Sequence, residues 1–219
     1  MKDAAAPEDL GDLLRLTQWL SPAFPLGAFA FSHGLETVIA SGEARDAAAL
    51  ETWLGDLLMA GSGRSDALIL SLAHRRVLPD GELAALAAAL APSRERWEET
   101  FAQGTAFART TNALLGTDVA PAALPVVVGI QVRSLALATS VVIALYLQGF
   151  AGNLVAVATR AVPLGQTAGQ GVLDRLAPKI TILARDLAEA GPEDFATAVP
   201  RADIAAMAHE IAEVRLFRS

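Results

Sequence analysis

The chain has 219 residues, enough for one large domain, and 53% of them are apolar while only 19% are charged. Because charged residues make up about 25% of an ordinary globular domain, this composition predicts a large buried fraction or apolar surface that a partner covers. The net charge of −7 and the scattered Lys and Arg argue against a nucleic-acid-binding surface. The sequence contains no Cys, which excludes disulfides, thiolate chemistry and cysteine-ligated zinc.

The first nine residues, MKDAAAPED, are acidic and contain no apolar segment of the kind that a signal peptide needs. We therefore predict a flexible tail over residues 1–9. This N-terminal sequence and the lack of Cys together lead us to expect a cytoplasmic protein.

Apolar residues recur with a helical period along most of the chain. A first helix begins near residue 10 and ends at Ser21, because the residue before Pro22 disfavours helical backbone. The clearest helix begins after Asp46, which we predict to be its N-cap. The residues at the spacing of one apolar helix face are Leu50, Trp53, Leu54, Leu57 and Leu58.

Two shorter helices are predicted over residues 65–77 and 82–90, and a long helix then begins near residue 94. The adjacent acidic residues Glu98 and Glu99 are expected on its solvated surface. The residues expected to face the core are Trp97, Phe101 and Ala108.

The region 126–162 is strongly apolar and predicts two helices, although residues 126–128, Val-Val-Val, are a candidate strand. No charged residue occurs in 134–159, and a membrane span needs about 20 apolar residues. Gln148 and Asn153 interrupt this run, which favours a buried core helix and leaves an apolar-surfaced protein of the membrane interface as an alternative.

Two further helices are predicted at the end of this series, one ending at Leu176 and one beginning at Pro178 and ending near residue 191. The complete pattern predicts an all-α, single-domain bundle of about eight to ten helices over residues 10–191. Residues 192–219 are predicted to be a C-terminal tail that binds a partner.

Neither metal-binding nor nucleotide-binding motifs occur in the sequence. His33, His74 and His209 are far apart and form no two-histidine metal motif. A nickel site at a subunit interface that uses His33 or His209 stays open, because imidazole suits nickel. No glycine-rich phosphate-binding loop is present.

The sequence AFSHG at residues 30–34 resembles the nucleophile elbow of serine hydrolases, with Ser32 as nucleophile. That elbow follows a buried strand, which the prolines at 22 and 25 exclude here. A small hydrolase that uses Ser32 is therefore only an alternative to a non-catalytic protein.

Two segments have the character of interaction surfaces. Residues 21–36 form a loop rich in Phe, Pro and Gly, which is either packed under the bundle or offered to a partner. The chain ends in RLFRS at residues 215–219, and Arg and Phe are typical anchors of interfaces.

Three sequences, in order along the chain, resemble the signatures of the UreF family of urease accessory proteins. They are SPAFPLGAFAFSHGLE at residues 21–36, NLV with RAVPLGQ at 153–155 and 160–166, and DIA, His209-Glu210 and RLFRS between residues 203 and 219. The positions that the resemblance assigns to partner binding are Ser21, Pro22, Pro25, Gly27, Phe29, Ser32, His33, Gly34, Glu36, His209, Glu210, Arg215, Leu216, Phe217, Arg218 and Ser219. The positions that it assigns to a dimer or structural role are Asn153, Arg160, Pro163, Gly165 and Gln166.

The resemblance implies an all-helical homodimer that binds the accessory protein UreD, also called UreH, and recruits the GTPase UreG. It implies that this assembly docks on apo-urease and couples GTP hydrolysis by UreG to nickel delivery. The chain itself would then have no catalytic activity and no intrinsic cofactor, the nickel being handled by the complex. Neither nucleic acid nor a membrane is implied as a partner.

Two stretches depart from the family pattern. Residues 131–134, QVRS, stand where a plainer Ala-rich run is expected, and residues 211–214, IAEV, stand where a polar tail with a Tyr is expected. If the tail contacts UreD, Glu213 in place of an aromatic residue is expected to weaken that contact.

Overall fold

The computed structural model describes residues 7–196, 199–213 and 215–218, with side chains from residue 10 onward. These residues form ten α-helices and no strand: α1 (Pro7–Trp19), α2 (Leu35–Ala40), α3 (Ala47–Ala60), α4 (Ser62–Arg75), α5 (Asp80–Ala89), α6 (Arg94–Leu115), α7 (Leu124–Gln131), α8 (Thr139–Ala161), α9 (Gln166–Leu187) and α10 (Pro200–His209). Short 3₁₀ turns occupy Ala28–Ala30, Val132–Ser134 and Pro192–Asp194. The predicted all-α bundle is confirmed.

Helices occupy part of both segments that were predicted as tails. Helix α1 begins at Pro7, inside the segment predicted as a tail, and α10 lies inside the segment predicted as a C-terminal tail. Residues 1–6 of the first tail lie outside the described residues. Four residues of the second segment also lie outside them: Thr197, Ala198, Val214 and Ser219.

Helix α8 is the central helix of the bundle and packs against α2, α3, α4 and α9. By length and composition alone it could cross a membrane, and it is the one such helix among the described residues. Its inward-facing Val142, Ile143, Leu147, Leu154 and Val157 have no exposed surface. This burial within the bundle favours the core helix that the interrupted apolar run predicts.

Helix α3 forms as its sequence predicts. The carboxylate of Asp46 accepts a hydrogen bond of 2.9 Å from the backbone N–H of Ala49, which satisfies one of the free donors at the start of the helix. All five residues of the predicted apolar face are buried.

Residues 126–128 lie in α7, so the two predicted helices of this region form and the candidate strand does not. Short apolar runs have no readable period when they are buried on every side, and β-branched residues then suggest a strand. Here Pro125 stands in the first turn of the helix, where a missing backbone N–H costs nothing. Val126, Val127 and Val128 are all buried.

Pro178 does not begin a new helix, because α9 continues through it from Gln166 to Leu187. A proline inside a helix removes one backbone hydrogen bond. Pro178 lies on the exposed side, where water can replace that bond, while Leu176, Ile180 and Leu183 are buried on the opposite side. Packing of this apolar face maintains the helix across the proline.

Helix α6 buries a different face from the predicted one over its first half. Ala108 is buried as expected, but Phe101 is exposed and stacks against the half-buried Trp97, with 5.2 Å between the ring centroids. Glu99, predicted to be solvated, has no exposed surface. The buried face carries Glu95, Arg96, Glu99 and Gln103.

The unusual residues 131–134 have a structural role. The buried Gln131 amide donates to Thr111 Oγ1 at 2.9 Å and to Asn112 Oδ1 at 2.8 Å, which ties α7 to α6. The Arg133 guanidinium donates to the carbonyl of Ala73 at the end of α4 and forms an ion pair with Asp80. Both side chains thus make contacts within the bundle that Ala could not make.

Candidate functional site

A group of four charged side chains joins three segments that are distant in sequence; we call it the polar junction. It consists of Glu36 from α2, Glu95 from α6, His209 from α10 and Arg215 beyond α10. The His209 ring is buried, with Nδ1 2.7 Å from Glu95 Oε2 and Nε2 3.1 Å from Glu36 Oε2. A carboxylate oxygen therefore faces each of the two ring nitrogens. Arg215 Nη1 lies 2.5 Å from the remaining oxygen of Glu95.

Residues 215–218, which we call the strap, cross over the loop formed by residues 21–36, which we call the signature loop. The backbone N–H groups of Leu216 and Phe217 donate to the two carboxylate oxygens of Glu36 at 2.7 and 3.0 Å. The N–H of Arg218 donates to the carbonyl of Ala30 at 2.7 Å. The strap is therefore bound to the signature loop along its backbone.

The protonation state of Glu36 reflects this arrangement. Burial by itself would raise the pKa of Glu36. The hydrogen bonds from the N–H of Leu216, from His209 and from the N–H of Phe217, together with the charge of His209, outweigh burial and lower the pKa below its ordinary value. The ionised carboxylate is thus the form that the junction stabilises.

Helix α8 supplies a second attachment for the strap. The guanidinium carbon of Arg160 lies 5.0 Å from the ring centroid of the buried Phe217, and Arg160 Nη2 donates to the carbonyl of Phe29 at 2.9 Å. Two turns earlier on the same side of α8, Asn153 Nδ2 donates to the carbonyl of Phe31 at 3.4 Å. Asn153 and Arg160 therefore hold the signature loop against α8.

A second buried ionic group lies deeper, along the polar face of α6. Arg96 is buried and forms an ion pair of 2.6 Å with Asp66 of α4, which also accepts a hydrogen bond of 3.0 Å from the hydroxyl of Tyr146. Burial raises the pKa of Tyr146 well above its usual range, and the Asp66 charge adds to this effect. Next to this pair, Glu99 Oε1 lies 2.9 Å from His33 Nε2. These contacts fix α4, α6, α8 and the signature loop in one arrangement.

The structure does not form a serine-hydrolase site at Ser32. Ser32 has no exposed surface, and its hydroxyl accepts a hydrogen bond of 3.4 Å from the N–H of Glu36. The ring of His33 pairs with Glu99 and packs edge-on against Phe150, so it does not face Ser32 as a base. The segment before Ser32 is a 3₁₀ turn, not the buried strand of a nucleophile elbow.

Nothing in the described part of the chain brings three or more His, Cys, Asp or Glu side chains into a metal-binding arrangement. Both candidate histidines are engaged by carboxylates, His33 by Glu99 and His209 by Glu36 and Glu95. A nickel site shared between two subunits stays a prediction.

The glycines of the signature loop are required by its geometry. Gly27 and Gly34 have φ of 70° and 73°, which favours glycine. A Cβ on Gly34 would lie 2.7 Å from the backbone nitrogen of Ala206, so this glycine permits the close approach of α10. The remaining predicted loop positions, Ser21, Pro22 and Pro25, lie on its outer, partly or fully exposed side.

Other predicted positions lie apart from the junction or at its edge. Glu210 lies beside it, and its Oε1 accepts a hydrogen bond of 3.1 Å from the N–H of Glu95. The exposed Pro163 and Gly165 lie in the turn between α8 and α9, and the exposed Gln166 is the first residue of α9. Their proposed role in a dimer stays a prediction.

An apolar stripe, which we call the α10 stripe, consists of Ile204 and Met207 on α10 and of Ile211 two residues beyond its end. All three side chains are exposed, and Ile211 reaches 84%. Leu216 of the strap and Phe29 of the signature loop are also 76% and 67% exposed. Neighbouring exposed apolar side chains, such as Ile204 and Met207 one turn apart on α10, are typical of interaction sites.

The signature loop and the strap, which the sequence singled out, lie on either side of residues that the sequence analysis did not predict. Glu95, Arg96 and Asp66 were not predicted, and Glu99 was expected on the surface. A signal was present, because Glu95, Glu99 and Gln103 recur every fourth residue and so share one face of α6. A polar stripe that faces the bundle requires buried partners, and Arg96, His33 and His209 are those partners.

Comparison with known proteins identifies relatives over nearly the whole chain. A profile of the UreF family matches residues 44–177. The urease accessory protein UreF of Cereibacter sphaeroides (strain KD131) is 52% identical over 207 residues, covering 94% of this chain and 98% of the relative. The proteins of the same name from Dinoroseobacter shibae and Paracoccus denitrificans are 48% and 47% identical over 206 residues, covering 94% of this chain and 98% and 95% of the relatives.

Proposed function

This chain belongs to the UreF family of urease accessory proteins, and from that premise we propose that it is a scaffold that bridges UreD, also called UreH, and the GTPase UreG. The scaffold is a homodimer in the cytoplasm, and the assembly that it forms docks on apo-urease. Nickel is the cargo of the complex, which inserts it into apo-urease with GTP hydrolysis by UreG. The chain is an accessory protein and not itself an enzyme.

The observation that supports this proposal best is the set of exposed apolar side chains on α10, the strap and the signature loop. The α10 stripe, Leu216 and Phe29 are exposed although the backbone beneath them is held by hydrogen bonds and buried ion pairs. A rigid, apolar surface lowers the entropic cost of binding and supplies anchors for a partner. We assign this surface to UreD.

The buried ionic groups are consistent with a scaffold. They connect α2, α4, α6, α8 and α10 through side chains that have little or no access to solvent. Such networks maintain one relative arrangement of helices, which a protein that contacts several partners at once requires.

The bridge is tested by co-expressing the chain with UreD and UreG and measuring the mass of the purified complex by size-exclusion chromatography with light scattering. We expect a complex with two copies of each protein. A chain that elutes as a dimer without either partner would refute the bridging role while leaving the fold intact.

The assignment of the surface is tested by Ile211→Asp, with Ile182→Asp as a matched control. Both isoleucines are exposed, but Ile182 lies on α9. We expect Ile211→Asp to abolish co-purification of UreD and Ile182→Asp to preserve it. Equal retention of UreD by the two variants would place UreD on another surface.

A further inference from the structure

We infer that Glu36 is a positioning residue for partner binding: its carboxylate fixes the strap in the arrangement that presents Leu216 to UreD, and Glu36 itself does not contact UreD. The identity of this partner rests on the proposed function. The attachment of the strap to Glu36 is a property of the chain alone and can be tested without any partner.

Glu36 is placed where the strap, α10 and the signature loop meet. Its two carboxylate oxygens accept from the N–H groups of Leu216 and Phe217, and one of them also faces Nε2 of His209. The side chain is only 14% exposed. Hydrogen bonds to an ionised, partly desolvated carboxylate are among the stronger ones in proteins.

Among the hydrogen bonds of the described residues, the N–H groups of Leu216 and Phe217 donate only to Glu36. The other polar attachments lie at the two ends of the strap. At one end the guanidinium of Arg215 donates to Glu95, and at the other the N–H of Arg218 donates to the carbonyl of Ala30. Glu36 therefore holds the middle of the strap, between these two ends.

This central attachment determines which side chain faces outward. Phe217 is buried under Arg160, while its neighbour Leu216 points to solvent. The backbone bends at both residues, so their successive N–H groups reach the same carboxylate while the two side chains face different sides, and a shift by one residue would move Leu216 from its exposed position. By binding both successive N–H groups, one carboxylate sets the register of the strap.

A register that is set before binding removes an ordering step from association. Leu216 then belongs to a surface that exists in the free protein, together with Ile211 of the α10 stripe. Without Glu36, UreD would have to order the strap on contact, and its affinity would fall although none of its own contacts is removed.

The first test is amide hydrogen exchange on the full chain without a partner. Glu36→Gln keeps the size of the side chain but replaces one acceptor oxygen by an NH₂ group and removes the charge. We expect exchange at Leu216 and Phe217 to become at least about tenfold faster, because these amides then open more often. The control is Glu98→Gln, which makes the same chemical change on the exposed side of α6.

The second test is the affinity for UreD in a double-mutant cycle. We expect Glu36→Gln to weaken binding about tenfold, and we expect most of that loss to disappear when Leu216 is already Ala. Circular dichroism monitors the helical fold of each variant. If Glu36→Gln does not fold, Glu36→Asp replaces it, since Asp keeps the charge but is too short to reach both amides.

The outcomes separate the inference from the proposed function. Unchanged exchange in Glu36→Gln, or a loss of affinity that simply adds to that of Leu216→Ala, would overturn the positioning role. If wild-type chain does not bind UreD, the proposed function fails. The exchange comparison with Glu98→Gln then still decides whether Glu36 fixes the strap.

Discussion

Arg160 covers the ring of Phe217, with 5.0 Å between the guanidinium carbon and the ring centroid. The two residues come from sequence signatures that are distant along the chain, one at the end of α8 and one in the strap. The same guanidinium donates to the carbonyl of Phe29. One side chain of α8 therefore holds both the strap and the signature loop, which gives these two signatures a common structural purpose.

Replacing Arg160 by Ala is expected to loosen the strap while leaving the bundle folded. A cation–π contact at a partly exposed site contributes about 0.5–1 kcal/mol, so the free energy of unfolding in urea should change little. Amide exchange at Phe217 and Arg218 should become faster. The control is Arg109→Ala, an exposed arginine of α6 outside the site, and equal exchange in the two variants would contradict this role.

Replacing Arg96 by Met is expected to destabilise the protein strongly. Arg96 is buried and bound to Asp66, so its removal leaves a buried carboxylate without its charge partner. Losing one member of a buried ion pair costs about 3–5 kcal/mol. Urea denaturation should show this loss, and Asp66→Asn in the same chain should recover part of it. The control Arg94→Met, at an exposed position in the same helix turn, should change stability by about 0.5 kcal/mol or less.

The fold could be predicted where apolar residues follow a helical period, and α3 with its Asp46 cap is the clearest example. Helix bounds could not be predicted where the period carries no information. In α7 the residues are apolar on all sides, so the valines suggested a strand. In α9 the proline suggested a break, although the buried face of the helix is continuous on both sides of it.

The site could be predicted only in part, for a physical reason. Hydrophobic patterns place charged residues such as Glu99 outside, because burying a charge without a partner is unfavourable. The partners that make burial of Glu95 and Glu99 favourable are His209 and His33, which are distant in sequence. A single sequence shows neither the pairing nor the distance, so the signature segments were found without the polar junction that connects them.

Gly104 is expected to tolerate no side chain. A Cβ at this position would lie 2.0 Å from the carbonyl oxygen of Ala122, so α6 and the segment before α7 would have to separate. Gly104→Ala should therefore reduce the free energy of unfolding by about 1–3 kcal/mol, the usual cost of overpacking.

The matched control is Gly11→Ala in α1, where nothing lies within 4 Å of the added Cβ. Alanine is favoured over glycine inside a helix by about 1 kcal/mol, so this variant should be more stable than wild type. Urea denaturation of both variants measures the contrast. Destabilisation by both substitutions would show that the close approach at Gly104 is not the cause.

The stabilising effect of Glu36 is expected to disappear in acid. Its pKa in the folded protein lies below the ordinary value of 4.5, because the hydrogen bonds from the strap and from His209 favour the ionised form. A carboxylate with a lowered pKa stabilises the folded state above its ordinary value, and this contribution is lost as the pH falls through the lowered pKa. Wild type should therefore exceed Glu36→Gln in free energy of unfolding at neutral pH, and the difference should shrink as the pH falls below 4.5.

Urea denaturation of both proteins across this range measures the difference, with Glu98→Gln as the exposed control. A difference that stays constant with pH would mean that the charge of Glu36 does not hold the strap, since the two proteins would then bind the same number of protons on unfolding.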